Sequence, residues 1–191
     1  MGREFELKYA ATAADLQALK ARFPYLRPIA METTYYDNEN EDFSRLKWTF
    51  RRRMENEKSI CTLKTPMDGL GRAEFEVECG NIEDAIPLLL EQGAPKQLLA
   101  LTCRGIAPSC GARFTRLAGL LEIPGGKAEL ALDEGVLLGG GRELPFREVE
   151  VELKAGSEAA VTAFAKALAA EFGLKPEPLS KVARARSLIQ K

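Results

Sequence analysis

Apolar and charged residues alternate strictly in three segments of the chain. In Arg3-Glu4-Phe5-Glu6-Leu7-Lys8-Tyr9 the apolar positions are Phe5, Leu7 and Tyr9. In residues 74–78 they are Phe75 and Val77, and in residues 148–154 they are Val149, Val151 and Leu153. A period of two is the strand period, so each segment is predicted to be a strand with one apolar face and one face striped with carboxylates. One such strand is an ordinary solvated sheet face. Three of them need something more, because rows of like charge on neighbouring strands repel. A divalent cation, a set of Arg and Lys side chains, or both must sit among them.

Helical periods fall between the strands. Thr12, with Asp15 three residues on, opens like a capping box, and Leu16, Leu19 and Phe23 recur at helical spacing up to Pro24. Ser157 caps a second helix with Val161, Phe164, Leu168 and Phe172 on one face and Gly173 at its end. Residues 81–93 read as helical too, but Pro87 predicts a short helix beginning near Asp84. Residues 33–37 read as a strand. Residues 45–54 and 59–65 read as a hairpin around Glu55-Asn56-Glu57-Lys58, and 114–123 with 128–133 as a second one. Residues 66–71 form a loop into the second acidic strand, and Gly139-Gly140-Gly141 is a turn without the strand-to-helix context of a phosphate loop. The layout predicts an α+β fold in one domain spanning 1–191, with about eight antiparallel strands and helices packed outside.

If the apolar stripes meet the helices, the charged stripes face one another. Eight strands closed into a barrel leave an interior wide enough for side chains or one small ligand. A charged interior is costly unless it is wet and its charges are paired, so it points to a highly charged ligand.

The composition narrows the chemistry. The chain has 191 residues, 27 basic and 28 acidic groups, and a net charge of −1, which gives no global field to recruit nucleic acid or an anionic membrane. There is no histidine, which removes imidazole as base, nucleophile activator or metal ligand. Cys61, Cys79, Cys103 and Cys110 lack C-x-x-C spacing and no apolar signal segment precedes them, so free thiols and a cytoplasmic location are expected. Any metal is then held by carboxylate oxygen, which selects hard cations such as Mg²⁺ or Mn²⁺. No apolar run approaches the roughly 18 residues needed to span a membrane.

Basic side chains supply the other half. Arg51 and Arg53 share a strand face with Thr49, opposite to Trp48 and Phe50, and Lys64 shares one with Thr62. Arg72 precedes Glu74 and Glu76 on one face. Arg116 lies on a later strand with Arg113 nearby, and Lys181 and Arg184 are one helical turn apart. Two readings stand from chemistry alone: an arginine-rich grip on phosphate, or a structural salt-bridge network with the glutamates.

These segments carry a resemblance. Glu4-Phe5-Glu6-Leu7-Lys8 resembles the ExExK motif of the CYTH family, or triphosphate tunnel metalloenzymes. Tyr35-Tyr36-Asp37, Phe50-Arg51-Arg52-Arg53, Thr62-Leu63-Lys64, residues 72–78, Ala131-Leu132-Asp133, Glu150-Val151-Glu152 and Ser180-Lys181-x-x-Arg184 follow in the family's order over nearly the whole chain. Asn38, Arg52 and Arg186 depart from the pattern. The resemblance implies an eight-stranded antiparallel tunnel that binds a triphosphate and a divalent metal. It implies Glu4, Glu6, Glu150 and Glu152 as metal ligands, and Lys8, Arg51, Arg53, Lys64, Arg72, Arg116, Lys181 and Arg184 as phosphate contacts. Asp133, Glu74 and Glu76, with Lys8, are the implied catalytic positions.

The expected activity is Mg²⁺- or Mn²⁺-dependent hydrolysis of a triphosphate-containing small molecule, foremost inorganic tripolyphosphate to diphosphate and phosphate. With no histidine, a carboxylate or metal-activated water must take the proton. The alternatives on the same scaffold are a class IV adenylate cyclase and a thiamine triphosphatase. A non-catalytic polyphosphate or nucleotide sensor is the alternative of another class. Apolar outer faces beyond those that three helices cover suggest a homodimer; no nucleic-acid or membrane partner is expected.

Overall fold

The computed structural model describes residues 2–67 and 71–189. The first acidic segment forms two short strands, β1 (Gly2–Glu4) and β2 (Glu6–Ala10), separated by Phe5. Helix α1 (Ala13–Arg22) follows, with the expected capping box between Thr12 and Asp15. Then come β3 (Arg27–Asp37), a one-turn helix α2 (Asp42–Arg45), the hairpin β4 (Thr49–Glu55) and β5 (Lys58–Pro66), and β6 (Arg72–Glu78). Helices α3 (Ala85–Glu91) and α4 (Gln97–Thr102) lead into a meander of β7 (Ala107–Ile123), β8 (Gly126–Gly139) and β9 (Arg142–Gly156). Helix α5 (Glu158–Phe172), the two-residue β10 (Lys175–Pro176) and α6 (Lys181–Arg186) complete the chain.

All the strand pairs are antiparallel, in the order β1-β6-β5-β4-β3-β7-β8-β9-β2-β10. The expected barrel of eight strands is therefore a sheet of ten. The count differs because β10 is added and the first strand is split. β1 pairs with β6 at one end of the order, and β2 pairs with β9 near the other. The chain passes from one partner to the other at Phe5, whose carbonyl accepts a hydrogen bond from Leu153 N at 2.9 Å. The sheet is thus brought round on itself by the covalent continuity of residues 2–10, with no continuous hydrogen-bonded ladder across the seam.

The apolar stripes lie outside, where helices cover them. Leu7, Tyr9, Leu130, Leu132, Val149 and Val151 pack with Leu16 and Leu19 of α1 and Val161, Ala165 and Leu168 of α5. Phe50, Cys61, Leu63 and Phe75 pack with Phe43 of α2, Ala85 and Leu89 of α3, and Leu98 and Leu101 of α4. Burial of this kind contributes about 25 cal/mol for each Å² of apolar surface removed from water, and here it fixes which way the sheet faces. The charged stripes are left on the concave side.

Three local expectations change. Residues 45–48 do not extend β4, because Asp42–Arg45 close a helical turn with Phe43 buried. Helix α4, only six residues long, is too short to show a helical period in sequence. Helix α3 begins after Asp84 as expected, placing Pro87 in its first turn, where the missing N–H costs nothing. Gly140 and Gly141 both take positive φ (56° and 72°), as a two-residue hairpin turn requires. Of the loop expected over 66–71, Asp68, Gly69 and Leu70 lie outside the described residues.

Candidate functional site

Strand alternation, with Lys47 from the turn before β4 and Lys181 from α6, brings nine carboxylates and nine basic groups to one cavity of about 1130 Å³. Of the residues singled out from sequence, the wall includes Glu4, Glu6, Lys8, Arg51, Arg53, Lys64, Arg72, Glu74, Glu76, Arg116, Glu150, Glu152 and Lys181. Three others stand elsewhere. Asp133 is fully buried beneath the wall, where both oxygens accept from Arg116 at 2.8 Å. The Arg184 guanidinium turns to Glu148 and Glu177, away from the cavity lining. Arg113 points outward to Glu143 at 3.1 Å.

Much of the wall is paired. Lys64 bonds Glu4 and lies 3.1 Å from Glu74; Arg53 pairs with Glu55 and Glu76; Arg116 reaches Glu150 as well as Asp133. Lys154 pairs with Glu152 at 2.8 Å. The salt-bridge network and the charged cavity are thus the same object. The network is incomplete in an informative way. Nε of Arg51 and Nε of Arg53 are buried with no hydrogen-bond partner among the described residues, and the Arg51–Glu74 contact is stretched to 4.0 Å. Leaving a buried donor unmade costs about 1–3 kcal/mol, more if charged. Both cations sit on the wall of a cavity, so an anion entering it would supply the missing acceptors.

Of the four carboxylates expected to hold a metal, Glu4, Glu150 and Glu152 are ion-paired and Glu6 is not. Glu6 makes no ion pair within 4 Å among the described residues, and burial, followed by its neighbours Glu150 and Glu4, pushes it up to about 7. Burial likewise raises Glu152. Carboxylate oxygens without nitrogen or sulfur suit a hard divalent cation, and Glu4, Glu6, Glu150 and Glu152 offer that chemistry on one wall, Glu6 being the one without an ion pair within 4 Å among the described residues.

A second acidic cluster is already neutralised. Oxygens of Asp133, Glu148 and Glu150 lie within 4.8 Å of one another, all three residues buried. The Lys181 ammonium sits among them, 2.8 Å from Asp133, 2.5 Å from Glu148 and 2.7 Å from Glu150. It also lies 5.4 Å from the Phe114 ring centroid and 5.5 Å from that of Phe146. Burial opposes its charge, yet the three carboxylates hold Lys181 above the ordinary lysine range. Against the same burial, Lys181 and Arg116 hold Glu150 well below the ordinary carboxylate range. An ammonium has three donors, and here each faces a carboxylate.

Glu148 was visible in the third alternating segment, but nothing in the sequence marked it as the residue that holds α6. Lys47, Glu129 and Lys154 also line the cavity. Lys47 takes a left-handed φ of 57°, with its carbonyl held by Arg72 at 3.0 Å, a conformation that composition does not reveal. The departures from the family pattern have local explanations. Asn38 ties β3 to α2 and α4 through Asp42 and the Leu101 carbonyl, both at 3.0 Å. Arg52 faces outward to Ser59 at 3.0 Å.

The CYTH domain model matches residues 2–185. The chain belongs to the CYTH family. Among its relatives, an inorganic triphosphatase of Haemophilus influenzae is 28% identical over 96% of this chain and 54% of its own length. The chain therefore spans about half the length of the curated relative it matches. Solved CYTH-like structures share its fold. A Bacillus halodurans protein proposed to be an adenylate cyclase superposes with a TM-score of 0.69 at 17% identity, covering 94% of this chain and 96% of that one. A proposed adenylyl cyclase from Hippeastrum, described as having a dominant triphosphatase activity, gives 0.68 at 17% identity over 99% of this chain and 97% of that one. A Pyrococcus horikoshii protein gives 0.64 at 24% identity over 94% and 96%. No helix of the described CYTH chain is long and apolar enough to cross a membrane.

Proposed function

We propose that the cavity binds a triphosphate with a divalent cation and hydrolyses it, and that the substrate is inorganic tripolyphosphate, cleaved to diphosphate and phosphate. The observation that carries this reading is the pairing of opposite deficits on one wall. Arg51 and Arg53 hold buried donors without acceptors, and Glu6 is a half-buried carboxylate with no ion pair within 4 Å among the described residues. A metal-complexed polyanion satisfies both at once. The inorganic triphosphatase among the relatives supports the choice of substrate.

Glu4, Glu6, Glu150 and Glu152 would hold Mg²⁺ or Mn²⁺, which when bound neutralises phosphate oxygens and lowers the pKa of a coordinated water. The chain's own groups do the rest. Arg51 and Arg53 on β4 and Arg72 on β6, either side of β5, aim planar donor forks at phosphate oxygens and stabilise the charge spread over the transferring group. Lys8 has no carboxylate partner within 4 Å among the described residues and donates only to the Leu179 carbonyl at 3.2 Å, so its remaining donors are available to the ligand. Glu74 and Glu76 lie on the wall beside Lys64 and Arg53, where a carboxylate can accept the proton of an attacking water.

Incubation of the protein with tripolyphosphate, ATP and thiamine triphosphate, each with Mg²⁺ or Mn²⁺, followed by chromatographic resolution of products, tests the reading. Diphosphate and phosphate from tripolyphosphate, at the highest kcat/KM of the three, support it. Cyclic AMP from ATP makes the protein a cyclase, and tight binding without turnover makes it a sensor.

A further inference from the structure

Helix α6 spans six residues, too few to hold itself together in water, so its seat is set by what it touches. Ser180 Oγ accepts from Ala183 N at 3.2 Å and caps its start. Val182 and Ala185 are buried against Met31, Tyr35, Phe114 and Phe146. The helix backbone comes down on the end of β8 at Gly139, where a Cβ would lie 2.3 Å from the Ala185 carbonyl oxygen.

The three basic side chains of α6 each make ion pairs, and two of them share Glu148. Lys181 enters the Asp133–Glu148–Glu150 cluster on β8 and β9. Arg184 takes Glu148 and Glu177. Arg186 alone reaches β3, where its Nη2 donates to Asp37 Oδ2 at 2.8 Å. That acceptor is rigid. Asp37 is 5% exposed and already receives Asn38 N and Phe43 N on Oδ1, both at 3.0 Å. Its Oδ2 receives Ser44 N at 3.2 Å and Ser44 Oγ at 2.7 Å. Four local donors fix the carboxylate whether or not Arg186 is present. Loss of the guanidinium would therefore be felt at α6, since Asp37 stays satisfied and the turn into α2 keeps its bonds.

We propose that Arg186 is a positioning residue: its ion pair with Asp37 seats α6, and the seated α6 holds the Lys181 ammonium on Asp133, Glu148 and Glu150. Glu150 is the member of that cluster on the cavity wall, so its orientation toward a cation depends on a contact made at the far end of the helix. Partners of a metal ligand act in this way, fixing the ligand without touching the ion. The inference rests on the reading of the cavity as a metal-assisted triphosphate site.

The test compares Arg186→Gln and Arg186→Lys with the unmodified chain in three measurements: native-state tryptic cleavage within α6, affinity for Mn²⁺ alone by electron paramagnetic resonance, and KM and kcat for tripolyphosphate. In R186Q, cleavage after Lys181 or Arg184 is expected to be about tenfold faster, as local opening of a short element predicts. Mn²⁺ affinity should fall about tenfold, the low end of the range for losing a ligand's supporting partner. KM should rise by more than kcat falls, while far-UV circular dichroism stays that of the unmodified protein. The guanidinium makes one nitrogen-to-oxygen contact with Asp37, which an ammonium can replace, so R186K should recover most of each change. Unchanged cleavage and Mn²⁺ affinity in R186Q, or a lysine variant no better than glutamine, would overturn the proposal. If the unmodified protein turns over no triphosphate while cleavage and Mn²⁺ affinity still respond, the functional reading fails and the positioning role stands.

Discussion

Lys181 donates to Glu148 over 2.5 Å, and the same ammonium serves Asp133 and Glu150. A residue expected from sequence to grip phosphate thus spends its donors on the protein. Lys181→Met should accordingly act first on stability. Removing one partner of a buried charge cluster costs about 3–5 kcal/mol. Thermal unfolding should show a drop of many degrees; a melting temperature within two or three degrees of the parent would mean that the ammonium is dispensable to the fold and free for the ligand.

Arg51→Met should do the opposite. Its Nε has no partner and its ion pair to Glu74 is stretched to 4.0 Å, so the fold loses little. A charge-assisted bond to phosphate is worth about 1.5–3 kcal/mol, or roughly 10- to 150-fold. KM for tripolyphosphate should rise by that factor with the melting temperature nearly unchanged. A large loss of stability with KM intact would assign Arg51 to the structural network.

Glu6→Gln separates metal binding from architecture. Glu6 makes no ion pair among the described residues, and burial beside Glu150 and Glu4 disfavours its charge. The neutral isostere should fold at least as stably while Mn²⁺ binding and turnover are lost. Chelation of metal from the unmodified protein should abolish turnover reversibly. Activity surviving both treatments would remove Glu6 from the ligand set.

The four thiols give a pH-dependent check on the outer core. Cys103 is exposed and Cys79 half-buried, whereas Cys61 and Cys110 are buried. Burial pushes the Cys61 thiol up to about 11, so it stays protonated and unreactive well above the ordinary thiol range. Alkylation followed by mass spectrometry should modify Cys103 readily at pH 8 and leave Cys61 unmodified even at pH 9.5. The sign for stability follows. A raised folded-state pKa leaves the contribution intact below about 9 and removes it as pH climbs toward about 11. Rapid modification of Cys61 at pH 8 would place it outside the cluster it shares with Phe50 and Leu63.

The alternation of Glu4, Glu6 and Lys8 against Phe5 and Leu7 was enough to sort inside from outside, because strand geometry leaves a side chain only two directions. The same rule put Arg51, Arg53, Lys64 and Arg72 on the cavity wall with the glutamates. It could not find depth. Asp133 and Glu129 share a face of β8, yet Glu129 lines the cavity and Asp133 lies beneath it. The difference is made by Arg116 and Lys181, which arrive from β7 and α6 and cover Asp133. Nor could alternation find the break at Phe5, since Glu4 and Glu6 change partner strands without any change in pattern. Arg186 looked like a departure without a purpose until β3 supplied Asp37 from 149 residues away.

On the proposed function, the wall of unpartnered arginine donors beside Glu6 serves to hold a metal-bound triphosphate. The most direct measurement is the rate of phosphate and diphosphate release from tripolyphosphate with and without Mg²⁺ or Mn²⁺, with products resolved by chromatography. Metal-dependent release of both products in equal amounts is expected, and its loss in Glu6→Gln. No release under any metal, by a folded protein, would contradict it.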